Sequence, residues 1–133
     1  MQSKKIVIIP TYNEKENIEK IINVIISLNN DFHILIVDDN SPDGTAEIVK
    51  NLQINFREYL FILEREEKTG LGSAYIAGFN WALSQGYDYI FEMDADFSHN
   101  PDDLSKLYKA CYDGADLAIG SRYCNGVSVI NWP

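Results

Sequence analysis

The chain has 133 residues, 46% of them hydrophobic and 12% aromatic, which suits one globular domain with a sizeable core and is too apolar for a disordered segment. Its 11 Lys and Arg stand against 20 Asp and Glu, a net charge of −9 without any basic run, so nucleic acid and anionic membrane surfaces are disfavoured as direct partners. An anionic ligand would need positive charge from a metal ion, a helix N-terminus or a few placed basic residues.

In chain order, "KIVII" (Lys5 to Ile9) reads as a first buried strand, and the polar "PTYNE" (Pro10 to Glu14) follows it. Asn13 with Glu16 reads as an N-cap and its partner for a helix whose apolar stripe is Ile18, Ile21, Ile22 and Ile25. "HILIV" (His33 to Val37) is a second strand, followed by "DDNSPDG" (Asp38 to Gly44) and a weaker helix from Thr45 to about Asn55. "LFIL" (Leu60 to Leu63) is a third. After it come Arg65 and Lys68, able to reach a phosphate or to stay solvated, and "GLGSAYIAG" (Gly70 to Gly78), whose paired Gly70 and Gly72 are best explained by close helix packing. That helix carries Ala74, Ala77, Gly78 and Trp81 on one stripe. "YIFEM" (Tyr89 to Met93) leads into "DADFSH" (Asp94 to His99), and Asn100-Pro101-Asp102-Asp103 reads as the capped start of a helix with Leu104, Leu107, Tyr108 and Cys111. "ADLAI" (Ala115 to Ile119) is a fifth strand, followed by "GSRY" (Gly120 to Tyr123).

The alternation of near-continuous apolar strands with helices predicts an α/β fold, a mainly parallel sheet of core order 3-2-1-4 with helices on both faces. Residues 1–133 form a single domain in this reading. The closing "GVSVINWP" has neither helix cap nor polar tail and suggests truncation at the C-terminal end. "MQSKK" runs straight into a strand, leaving no room for a signal peptide, and the run from Ile21 to Leu28 is far shorter than the roughly 20 residues that span a bilayer. Cys111 and Cys124 lack metal-ligand spacing and read as reduced structural thiols.

In an open α/β sheet, ligands bind outside the carboxyl ends of the strands where strand order reverses. "PTYNE", "DDNSPDG" and "DADFSH" would all lie on that rim. Asp94 and Asp96, two apart at a strand end, would point the same way and repel unless a hard divalent cation joined them, which favours Mg²⁺ or Mn²⁺. The plain alternative is a solvated acidic loop before a helix. Asp39 could accept hydrogen bonds from a ribose or a base, Tyr12 could stack on a base, and Glu14 could hold a sugar hydroxyl. Asn40 to Gly44 is more simply a turn, with Ser41 or Asp43 capping the next helix. Arg122 could grip a phosphate or pair with an acid, and the lone His99 reads as structural.

Taken together, "PTYNEKENI", "VDDNSPDGT", "GLGSAYIAGF", "DADFSHNP" and "GSRY" resemble the family 2 glycosyltransferases of the GT-A fold, most closely the dolichyl-phosphate or polyprenyl-phosphate mannosyltransferases. The resemblance implies that Pro10, Tyr12, Glu14, Val37 and Asp39 hold the nucleoside and that Asp94, Ala95 and Asp96 hold the metal and diphosphate. Arg122 would approach the phosphates. Ser98 stands where archaeal relatives have a glutamine as a third metal ligand. Asp94, Asp96 and Arg122 would carry an inverting transfer, chiefly of mannose from GDP-mannose to a polyprenyl or dolichyl phosphate. A UDP-sugar donor stays open, and so does a phospho-receiver domain, although its acid pair would have to follow the first strand. Family members continue past "NWP", so membrane contact is expected through a further C-terminal region or a partner subunit, with the protein cytoplasmic and peripheral to the membrane.

Overall fold

The computed structural model describes residues 4–28, 31–66 and 70–95, together with 104, 106, 109, 117–119 and 128–131. In chain order the elements are β1 (Lys5–Thr11), α1 (Ile18–Ser27), β2 (His33–Asp38), α2 (Thr45–Gln53), β3 (Leu60–Glu64), α3 (Leu71–Ser84), β4 (Tyr89–Glu92), β5 (Leu117–Ile119) and β6 (Ser128–Asn131). They form one sheet of order β3-β2-β1-β4-β6-β5. The first four of these are mutually parallel, as the sequence pattern predicts.

β1 is apolar on both faces because it is central. Ile6, Val7, Ile8 and Ile9 are all fully buried. Strand alternation sends Val7 and Ile9 into one core with α1, where Ile18, Ile21, Ile22 and Ile25 meet Ile34, Ile36 and Phe91. Ile6 and Ile8 enter the other core, with Leu35, Val37, Ile90 and Ala74 of α3. Helices therefore cover both faces. On the α3 side the approach is close: a Cβ on Gly78 would sit 2.7 Å from Ile8 Cγ2 and 3.2 Å from Val37 Cγ2.

Two expectations change. The sequence pattern predicts five strands in strict alternation with helices, whereas β6 enters between β4 and β5 and runs antiparallel to both. The connection 120–127 is shorter than the dozen or so residues that a parallel crossover needs, so the chain can only turn back. Because β5 is then parallel to β4, its carboxyl end still lies on the predicted rim. Helix α1 begins at Ile18 after Asn17, not after Asn13. The Glu14 carbonyl accepts the amides of Asn17 and Ile18, at 3.0 and 2.9 Å.

Of the helix predicted around Leu104, residues 104, 106 and 109 are helical, and Leu104 is buried in the α1-side core. Leu107, Tyr108 and Cys111 lie outside the described residues, as does the Asn100–Asp103 start. Among the described residues no helix is long and apolar enough to cross a membrane.

Candidate functional site

The carboxyl ends of β1, β2 and β4 meet on one rim, in the registers Thr11 to Asp38 and Ile8 to Glu92. Strand order reverses at β1, with β2 on one side and β4 on the other. This is the place where an open α/β sheet leaves a crevice.

Asp38 and Asp39 are consecutive and face opposite ways, so they take different tasks. Asp38 is 1% exposed. Its Oδ1 accepts the hydroxyls of Thr11 and Ser41, both at 2.6 Å, and its Oδ2 accepts the Ser41 amide at 3.0 Å. Ser41 Oγ in turn accepts the Asn13 amide at 2.9 Å. Asn13 thus serves the junction between the two loops rather than the helix, in a left-handed conformation (φ 57°) that Asn tolerates. A second junction runs through Asp43, which accepts the Thr45 amide at 3.0 Å and the Lys15 amide at 3.1 Å. Asp43 therefore does hold the start of α2, as its turn sequence suggests. Together these bonds fasten "PTYNE" to "DDNSPDG", so the two polar segments form one surface.

Asp39 turns to the α3 side and is 5% exposed. Arg65 grips both its oxygens, Nε to Oδ1 at 2.6 Å and Nη2 to Oδ2 at 2.9 Å. The remaining guanidinium nitrogen, Nη1, donates to Ser73 Oγ in the first turn of α3 at 2.8 Å. A planar fork suits such two-point recognition, and this bond to Asp39 pushes the guanidinium pKa further up. The residue that sequence reasoning left between phosphate contact and solvation is thus the partner of a candidate ligand residue. Its signal lay in the register: Asp38 pairs with Glu64, so the next residues along β2 and β3 share a face.

Asp94, partly buried at the end of β4, accepts the Tyr75 hydroxyl on Oδ1 at 3.0 Å. Nothing in the sequence pointed to Tyr75. Two residues before Asp94, Glu92 is half-buried, and desolvation pushes its carboxyl pKa up. Asp39 and Asp94 lie two strands apart, roughly 10 Å at about 4.8 Å per strand. They are too far apart to share one ion and are suited to different parts of an extended ligand.

Tyr12 is 38% exposed at the rim, and Pro10 and Glu14 are partly buried there. The Glu14 amide donates to Thr45 Oγ1 at 3.1 Å. Val37 is fully buried in the α3-side core, so its side chain forms the wall beneath Gly78 rather than a ligand surface. Ala95 is 3% exposed in the opposite core. Asp96, Ser98, His99 and Arg122 lie outside the described residues, and among the described residues no three acidic, His or Cys side chains converge as a metal-ligand set. The strand order also excludes a phospho-receiver domain, whose sheet runs 2-1-3-4-5.

The profile of glycosyl transferase family 2 matches residues 6–133. The chain is 49% identical over 130 residues, 98% of its length, to a polyprenol monophosphomannose synthase of Mycolicibacterium smegmatis. It is 44% identical over 126 residues, 95% of its length, to an undecaprenyl-phosphate mannosyltransferase of Micrococcus luteus. With a dolichol-phosphate mannosyltransferase of Pyrococcus furiosus it shares 43% identity over 131 residues, 96% of its length. It spans 49%, 51% and 35% of these relatives' own lengths. Among solved structures, a Pyrobaculum calidifontis mannosyltransferase in complex with GDP-Man and Mn²⁺ superposes with a TM-score of 0.78 at 21% identity, over 98% of this chain and 45% of that one. The S. aureus TarS 1-349 structure superposes at 0.66 with 26% identity, over 86% and 34%.

Proposed function

We propose, from the premise that the chain belongs to glycosyl transferase family 2, that it is the nucleotide-sugar-binding part of an inverting enzyme moving mannose from GDP-mannose to a polyprenyl phosphate. One observation carries this reading. Asp39 and Asp94 stand on either side of the strand-order reversal, in a chain for which the three relatives described above, at 43–49% identity, are each named for mannosyl transfer or phosphomannose synthesis with a polyprenol.

In this reading Asp39 accepts hydrogen bonds from the nucleoside with the lone pairs that Arg65 leaves available, and Tyr12 offers an exposed ring for stacking. Pro10 and Glu14 complete that wall, and Arg122 is assigned to the phosphates. The donors on the β4 side are carboxylate oxygens, which fit a hard divalent ion, Mn²⁺ or Mg²⁺; Asp94 and Asp96 would hold it, with Ser98 as a third candidate. Bound, such an ion offsets the negative charge gathering on the departing diphosphate. The chain's own residues align donor with acceptor. The attacking oxygen belongs to the acceptor phosphate, already ionised near pH 7, so no carboxylate has to remove a proton. Contact with the lipid and its membrane is assigned to a further region or a partner subunit.

Calorimetry with GDP-mannose and UDP-glucose, each with and without Mn²⁺ or Mg²⁺, tests the reading. The expected result is metal-promoted binding of GDP-mannose that Asp96→Ala abolishes. Equal, metal-independent binding of both donors, or of neither, would overturn it.

A further inference from the structure

Helix α3 reaches both halves of the rim from its first two turns. Ser73 Oγ accepts from Arg65, which holds Asp39, while the Tyr75 hydroxyl donates to Asp94 Oδ1 at 3.0 Å. The helix cannot shift easily, because Gly78 lies so close to β1 and β2 that a single methyl would collide with Ile8. Its hydroxyl on Tyr75 is therefore presented from a fixed base.

We infer that Tyr75 is a positioning residue for Asp94: its hydroxyl holds one carboxylate oxygen and so fixes the rotamer in which Asp94 meets the diphosphate and its cation. The inference rests on the function proposed above, in which Asp94 holds that group. A carboxylate on a short side chain can turn about two bonds, and an ion needs its ligand oxygen in one place. Holding one oxygen from a rigid helix removes that freedom before the ligand arrives. A tyrosine hydroxyl suits the task because burial and neighbouring apolar residues keep its ring in place, and its proton can only strengthen an ionised acceptor. Ser73 does the corresponding work for Asp39 through Arg65, so one helix sets the two halves by separate contacts.

That separation supplies the test, made on the full chain. Mn²⁺ binding in the presence of GDP is followed by the electron paramagnetic resonance of free Mn²⁺, and GMP binding in EDTA by calorimetry. Tyr75→Phe is expected to weaken Mn²⁺ binding by about ten- to a hundred-fold and to leave GMP binding unchanged. Ser73→Ala is expected to weaken GMP binding and leave Mn²⁺ unchanged. Phe79→Leu, packed against the same core, should lower the melting temperature without moving either affinity. Should the Phe variant not fold, Tyr75→Met removes the same hydroxyl with an adaptable side chain. Unchanged Mn²⁺ binding in the Tyr75 variant, or equal loss of Mn²⁺ and GMP, overturns the inference while the proposed function stands. Wild-type protein that binds no Mn²⁺ with GDP overturns that function and the inference with it.

Discussion

Arg65 holds Asp39 by both carboxylate oxygens, and the two side chains are only 16% and 7% exposed. Removing the cation strands a nearly buried carboxylate, whereas removing the acid leaves an arginine that still reaches Ser73 and some solvent. Arg65→Ala is therefore expected to cost about 3 kcal/mol, more than Asp39→Ala. Urea unfolding of both single variants and of the double variant checks the order. The double variant should fall short of the sum, and a strictly additive result would show that the pair is not coupled.

Asp38 and Asp39 should separate in their phenotypes. Asp38→Ala removes the acceptor of the Thr11 and Ser41 hydroxyls and of the Ser41 amide at an almost fully buried position. The expected loss is about 3 kcal/mol, since hydrogen bonds to charged groups are the strong ones. Asp39→Asn must set an amide N–H against an Arg65 N–H, so it should lose some stability, with its larger effect on nucleotide affinity. Thermal melting and GDP titration of the two variants decide it; a stable Asp38→Ala protein would remove that residue from the loop junction.

Two glycines of the same helix should respond with opposite sign. Gly78→Ala brings a methyl to 2.7 Å from Ile8 Cγ2, the stiff branch of a fully buried side chain. Overpacking of that kind costs about 1–3 kcal/mol. Gly72→Ala meets nothing within 4 Å and should gain up to about 0.5 kcal/mol through helix propensity. Melting curves of the two variants test this, and a neutral Gly78→Ala would mean that α3 can lift from the sheet.

Burial and the nearby Lys4 hold the His33 imidazole below its ordinary pKa of 6.5, with Nδ1 2.7 Å from the Tyr87 hydroxyl. Burial pushes that hydroxyl up to about 12, so it remains protonated at every pH of interest. Below pH 6.5 the unfolded chain takes up a proton at His33 before the folded one does. The stability this residue contributes is complete above that pH and is lost as pH falls through the folded pKa. Glu92 acts oppositely: its raised carboxyl pKa means that the folded state holds its proton longer, so stability declines as pH climbs above 4.5. His33→Gln should flatten the fall in stability on acidification below pH 6.5, and Glu92→Gln should flatten the decline above 4.5. Melting temperature against pH for the three proteins is the measurement, and parallel curves would refute both assignments.

The four central strands, three helices and the rim were legible because their causes are local. Strand runs such as Lys5 to Ile9 are apolar at every position, which only burial on both faces explains, and Ile18, Ile21, Ile22 and Ile25 repeat at helical spacing. The polar "PTYNE" and "DDNSPDG" had to follow carboxyl ends, since each comes directly after a strand. The family resemblance was legible too, because its motifs are short and ordered along the chain. The close packing read from Gly70 and Gly72 falls instead on Gly78: a Cβ at 70 or 72 would meet nothing within 4 Å, whereas one at 78 would collide with Ile8.

What the sequence could not decide was the pairing of side chains across elements. That Arg65 takes Asp39, that Tyr75 takes Asp94, and that Asp38 is consumed by Thr11 and Ser41 while its neighbour faces the site all depend on register and on the seating of α3. The antiparallel return of β6 belongs with them. Hydrophobic periodicity settles which face of an element turns inward, because burial of apolar area is non-directional. A hydrogen bond is directional and short, so its partner is known only once the packed elements have brought two particular atoms within about 3 Å.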